Sequence, residues 1–180
     1  MVNTNHTSIE SYQDVYTINY YHQLKQRGED AESFLRSHAW ISRDNGRTPM
    51  QWNNTANAGF TSGTPWLAVH ENHTSLNVEE QETRPGSVLN YVRRMIRLRK
   101  NNLTLIYGAF NPEDENNGQL FAYTRELDDQ KLLVVLNFSD RPAQLETTID
   151  LSDSQILISN YSEPLDKDGY KPYAAVIYQL

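Results

Sequence analysis

Cysteine is absent from the 180 residues, which removes disulfide frameworks, thiolate metal sites and thiol nucleophiles together. Basic residues are scarce: 16 Lys and Arg against 23 Asp and Glu leave a formal charge of −7. A balance of this sign argues against unaided binding to a phosphate backbone or an anionic membrane, since both need a basic face. Nucleic acid and membrane are therefore not expected partners. No apolar run approaches the ~20 residues of a bilayer crossing. The opening, MVNTNHTSIESY, lacks the charged-then-apolar plan of a signal peptide. The expectation is a soluble, cytoplasmic protein that handles something neutral or small.

What is plentiful is aromatic and amide chemistry: 11 Tyr, 5 Phe and 3 Trp stand beside abundant Asn. Aromatic faces and amides hold sugars, which offer both C–H faces and hydroxyls. The same residues also fill β-rich cores and turns. Composition leaves both readings open.

Hydrophobic spacing divides the chain. Residues 8–40 read as two helices: Val15, Ile18 and Tyr21 or His22 recur at helical spacing up to Gly28, and Phe34 and Leu35 mark a second helix from Asp30 to about Ala39. Residues 41–85 are dense in Asn, Gly, Pro, Thr and Trp and read as a long loop. That loop is expected to be ordered, because Met50, Trp52, Phe60, Trp66, Leu67 and Val69 are costly to leave in water. The clearest helix runs over 86–101, with Leu89, Val92 and Ile96 on its apolar face. Arg93, Arg94, Arg97, Arg99 and Lys100 crowd its C-terminal half, where the macrodipole favours cations. Beyond it, segments 104–110, 120–127, 131–138, 143–149, 155–161 and 173–180 read as strands between turn signals. Strands so spaced, without helices between them, predict an antiparallel sandwich of about 75 residues.

Most candidate chemistry falls away. The acidic groups Glu79, Glu80 and Glu82, Glu113 to Glu115, Asp128 and Asp129, and Asp166 and Asp168 all sit in turn-like stretches that read as solvated. The run from Asp166 to Gly169 resembles a calcium loop only faintly, since the twelfth position is Ile177 rather than Glu. His70 and His73 lack the H-E-x-x-H context of a zinc site, and no nucleophile elbow is present. Neither a metal nor a cofactor is expected. The sequons at Asn5, Asn72 and Asn137 read as accidents of an Asn-rich chain. What remains is the run from Arg43 to Trp52, with two arginines, an aspartate, two amides and an indole in ten residues. An arginine fork suits vicinal hydroxyls, or a carboxylate that itself holds a hydroxyl. A loop stitched together by its own Arg–Asp pairs is the equal alternative.

The run 42–52, SRDNGRTPMQW, followed by NAGF at 57–60 and GTPW at 63–66, resembles the α-glucosidases of glycoside hydrolase family 13. The nearest type is the oligo-1,6-glucosidase and α-glucosidase group. Dextran glucosidase, trehalose-6-phosphate hydrolase and sucrose isomerase are relatives of that group. Further matches are SIESYQD at 8–14, LRK at 98–100, YG at 107–108, FAY at 121–123 and LNFS at 136–139. The resemblance implies an α+β fragment: residues 1–102 as the incomplete end of a (β/α)8 TIM barrel, and residues 103–180 as an all-β antiparallel sandwich. On this reading, the run 1–3 follows a barrel strand, and the chain packs on an N-terminal part of the barrel that it does not contain. The family's aspartate nucleophile, its glutamate acid/base and its His-Asp pair match nothing here, so the chain alone is expected to be inactive. Arg47 is the arginine that would reach the non-reducing glucose of a small α-glucoside. Asp44 and Trp52 are carried with it as residues that shape the binding loop. Gly46 stands where many relatives have Ala or Ser. A non-catalytic sugar-binding or interaction module is the alternative function.

Overall fold

The computed structural model describes Asn3 and residues 6–180. The expectation for the run 1–3 depends on residues 1 and 2, and one sequon on residue 5; these lie outside the described residues. Two compact units divide the chain after Asn90.

In the first unit, α1 (Val15–Gln26) begins where the Asp14 carboxylate accepts the Thr17 backbone N–H at 3.2 Å. An aspartate in that position satisfies a donor the helix cannot satisfy itself. The helix ends before Gly28, whose φ of +73° is the left-handed stop glycine allows. Asp30 caps α2 (Ala31–His38) in the same way, accepting from Ser33 N at 2.9 Å. Tyr12, Tyr21, Leu24, Ala31 and Leu35 form the buried cluster between the two helices, with Ile18 and Phe34 packed against it. Tyr21, not His22, is the residue the spacing sends inward. Val15, Tyr16, Trp40 and Ile41 stay exposed.

Between residues 41 and 85 the expected ordered loop contains short regular elements. Three 3-10 turns (Arg43–Arg47, Ala56–Gly59 and Glu71–Thr74) precede α3 (Val78–Thr83). The N-terminal donors of α3 are met by the loop itself: Val78 N donates to Gln51 O at 2.9 Å, and Glu79 N to Trp52 O at 3.0 Å. Asn77 accepts from Glu80 N at 2.9 Å as the cap.

The helix α4 (Val88–Lys100) carries the expected basic end, yet none of its residues is buried. A short α5 (Leu103–Tyr107) follows, where β-prone residues predict a strand. The Asn102 side chain accepts Leu105 N at 3.1 Å and closes a helical turn, overriding propensity.

The sheet contains β1 (Ala109–Glu113), β2 (Leu120–Leu127), β3 (Gln130–Asn137), β4 (Gln155–Ser159) and, after the two-residue β5 (Leu165–Asp166) and β6 (Gly169–Tyr170), β7 (Ala175–Gln179). Its order is β1-β2-β3-β7-β4, antiparallel throughout, while β5 and β6 form a separate hairpin. Pro112 lies in the edge strand β1, where a missing donor is tolerated. Residues 143–149 are not a strand. Only Ala143 is paired, with Tyr170, while Leu145, Ile149 and Leu151 lie as an extended strap over the sheet. Their apolar residues face the core, but their backbone joins no ladder.

One sheet face thus buries Leu120, Ala122, Leu133, Val135, Val176 and Tyr178 beneath the strap and hairpin. The opposite face presents Tyr123, Val134, Leu136, Ile158 and Ile177 to Tyr91, Met95, Leu98 and Leu105, around a cavity of about 260 Å³. Coverage on both sides explains the unbroken apolar run in β3. Each such fully buried side chain contributes about 1.5–3 kcal/mol. Asn137 ties the end of β3 to the hairpin: its Nδ2 donates to Arg141 O, Tyr170 O and Lys171 O at 2.7–3.0 Å. Its amide is buried and fully engaged, which leaves that sequon no acceptor in the folded chain.

Candidate functional site

The 3-10 turn Arg43–Arg47 is started by Ser42, whose hydroxyl accepts Asp44 N at 3.3 Å. Asn45 holds the turn to the preceding chain by donating to Ala39 O at 2.8 Å. This winding turns the Asp44 carboxylate inward until it is 0% exposed. There its Oδ2 accepts the backbone N–H groups of Gln13 and Asp14 at 2.7 and 2.9 Å. An anion at that place also meets the positive end of α1.

Four charges gather around this point. Asp44 Oδ1 lies 3.7 Å from Arg47 Nη1. Asp14 Oδ1 lies 3.8 Å from the same nitrogen and 3.7 Å from Arg43 Nε. Both carboxylates are buried, whereas the Arg47 side chain is 39% exposed and that of Arg43 is 70% exposed. Two acids and two arginines balance, so the aspartates are charge-paired where an isolated charge would be expensive. At these separations the contacts are ionic rather than hydrogen-bonded.

The Asp44 charge reaches further. Burial pushes the Tyr12 phenol up, and Asp44 adds to that rise. Burial lowers His6, with Asp44 opposing. The Tyr12 hydroxyl donates to His6 O at 3.0 Å.

Of the three residues singled out in the sequence, Arg47 and Asp44 meet. Asp44 is too buried to touch a ligand and holds Arg47 instead. Trp52 belongs to a different network: its backbone N–H donates to Ala58 O at 2.9 Å, and its indole is half exposed. Ala58 follows Asn57 in a left-handed pair, φ 55° and 51°, a conformation that carries strain in a non-glycine residue. Phe60 and Trp66 also remain about half exposed, and among the loop's large apolar residues Leu67 is the buried one. The loop's order is therefore polar: Gln51 Nε2 donates to Asn72 Oδ1 and Leu76 O, and Asn57 Nδ2 to Thr61 O and Gly63 O.

Asp14 is the residue the sequence underplays, since it appears there only within a longer match. The SIESYQD match, which ends on it, is the signal that it matters. His70 and His73 are spent on a turn: His70 Nδ1 accepts Asn72 N at 3.1 Å, and His73 Nδ1 contacts His70 O at 3.0 Å. Asp114 and Asp166 likewise bind nearby backbone and amide groups. Among the described residues no group of three or more His, Cys, Asp or Glu is placed to hold a metal. No helix among them is long and apolar enough to cross a membrane.

Residues 3–108 match the family described as alpha amylase, catalytic domain, and residues 113–171 match the maltogenic amylase C-terminal domain. A probable oligo-1,6-glucosidase 2 of Bacillus subtilis (strain 168) is 44% identical over 185 residues, covering 100% of this chain and 33% of that protein. An oligo-1,6-glucosidase of Bacillus cereus is 38% identical over 186 residues, with the same two coverages. The crystal structure of Bacillus licheniformis trehalose-6-phosphate hydrolase superposes with a TM-score of 0.87 at 36% identity, over 99% of this chain and 34% of that one. The chain thus spans about a third of the length of these relatives.

Proposed function

Because this chain belongs to the alpha-amylase family, we propose that it is the C-terminal third of a cytoplasmic α-glucosidase. That enzyme releases terminal α-linked glucose from small oligosaccharides with retention of configuration. Residues 1–102 are the end of its barrel and residues 103–180 its sheet domain. The carboxylates that perform the two displacement steps belong to upstream barrel segments. This chain contributes one wall of the sugar pocket.

The observation that carries this reading is Arg47, held between two buried carboxylates yet partly open to solvent. Its fork donates to the hydroxyls of the non-reducing glucose and fixes that sugar's position against the nucleophile. Orientation of this kind is worth a large rate factor without any bond being made by the arginine. Asp44 and Trp52 shape the loop around it. Substrates range, within the names of the relatives, from α-1,6-linked oligosaccharides to trehalose 6-phosphate.

The test is kinetic. The purified 180-residue chain leaves p-nitrophenyl α-glucoside intact, and Arg47→Ala in the full-length enzyme lowers kcat/KM about 100-fold. Turnover by the chain alone that is lost in Arg47→Ala, or a full-length Arg47→Ala enzyme with unchanged kinetics, overturns the reading.

A further inference from the structure

We propose that Asp14 is the positioning residue for Arg47, on the premise that Arg47 grips sugar as argued above. The two oxygens of Asp14 have separate tasks. Oδ2 closes α1, accepting Thr17 N at 3.2 Å and Thr17 Oγ1 at 3.0 Å. Oδ1 takes no part in the cap and faces the guanidinium groups of Arg43 and Arg47.

Asp44 alone does not fix Arg47. Its Oδ2 is committed to two backbone donors, which leaves Oδ1 as a single anchor at 3.7 Å. A long side chain tethered to one oxygen can swing about it. A second oxygen on the other carboxylate, 3.8 Å from the same nitrogen, removes that freedom. The second anchor sits at the N-cap of a 12-residue helix, a rigid support, rather than on the motif's own loop. Ionic pairing at this range places the guanidinium without consuming its N–H donors in short hydrogen bonds. Asp14 thereby transmits the position of α1 to a group that touches substrate.

Asp14→Asn separates the two tasks. Asparagine caps a helix about as well as aspartate, so the fold is kept, while the charge facing Arg47 is lost. In the full-length glucosidase carrying this chain, Asp14→Asn is expected to lower kcat/KM for p-nitrophenyl α-glucoside about tenfold, with an unchanged melting temperature. Asp14→Asn combined with Arg47→Ala is expected to be no slower than Arg47→Ala alone, because the aspartate acts through the arginine. Asp14→Ala loses the cap as well and is expected to melt earlier. Wild-type kcat/KM in Asp14→Asn, or losses that multiply in the double variant, overturns the assignment while leaving the role of Arg47 standing. Unchanged kinetics in Arg47→Ala overturns both.

Discussion

The Asp44 carboxylate accepts the backbone N–H of Asp14 at 2.9 Å across a separation of 30 residues, and both carboxylates then address one nitrogen of Arg47. The turn Arg43–Arg47 and the start of α1 are joined there by a buried anion rather than by apolar packing. The strength of that joint can be measured.

Asp44→Ala strands two backbone donors and removes one of the two anions beside Arg47. Leaving a buried backbone donor without its acceptor costs about 1–3 kcal/mol, read as a lower urea midpoint. Asp44→Asn keeps an oxygen for the two N–H groups and is expected to cost less. An alanine variant within about 1 kcal/mol of wild type, or an asparagine variant worse than alanine, contradicts the assignment.

Gly46 and Gly169 are expected to respond in opposite directions to alanine. A methyl at Gly46 meets open space, and its φ lies outside the left-handed region. Gly46→Ala should stabilise the chain by about 0.4–1 kcal/mol by restricting the unfolded state. Gly169 has φ +113°, and a methyl there falls on the Ala143 carbonyl, where strap and hairpin meet. Gly169→Ala should lower the melting temperature of the sheet unit; equal melting of the two variants contradicts this.

Tyr170 and Tyr178 give the sheet unit an alkaline limit. Burial pushes both phenols up, and the nearby Tyr178 hydroxyl raises Tyr170 further. An unfolded tyrosine ionises near pH 10, so the folded chain holds these protons more tightly than the unfolded one. Their contribution is complete below about pH 10 and is lost as the pH rises above it. The Tyr170 hydroxyl makes no hydrogen bond of ordinary geometry. Tyr170→Phe should therefore stay within about 1 kcal/mol of wild type at pH 7 and lose less stability above pH 10. Denaturant titrations at pH 8 and 10.5 check both points, and parallel losses in the two proteins would count against the buried-phenol account.

Local chemistry made much of the fold legible. Asp30 and Gly28 bound their helices through capping that needs only neighbouring residues, and β2 and β3 follow from alternation and the Asp128-Asp129 turn. Two expected strands differ in the structure for physical reasons. Residues 103–107 are β-prone, but the Asn102 cap is worth more than the propensity. Residues 143–149 alternate because one side faces the core, and alternation cannot tell a strap from a laddered strand. The loop's aromatics suggest burial, whereas Trp52, Phe60 and Trp66 stay half exposed and amides hold the chain. The motif around Arg47 was visible as a cluster of residue types. Its pairing with Asp14 was not, since no local pattern reports a contact spanning 33 positions.

The apolar stripe of α4 bears on how the chain behaves as a colloid. Val88, Val92, Met95 and Ile96 are all more than 40% exposed on one helix, a surface that attracts its own kind. What keeps separate copies apart is the net charge of −7, and that repulsion reaches only about 8 Å at physiological ionic strength. Added salt shortens the reach of the repulsion and leaves the apolar attraction in place. At a given protein concentration, raising the ionic strength is then expected to shift the chain from dispersed toward associated.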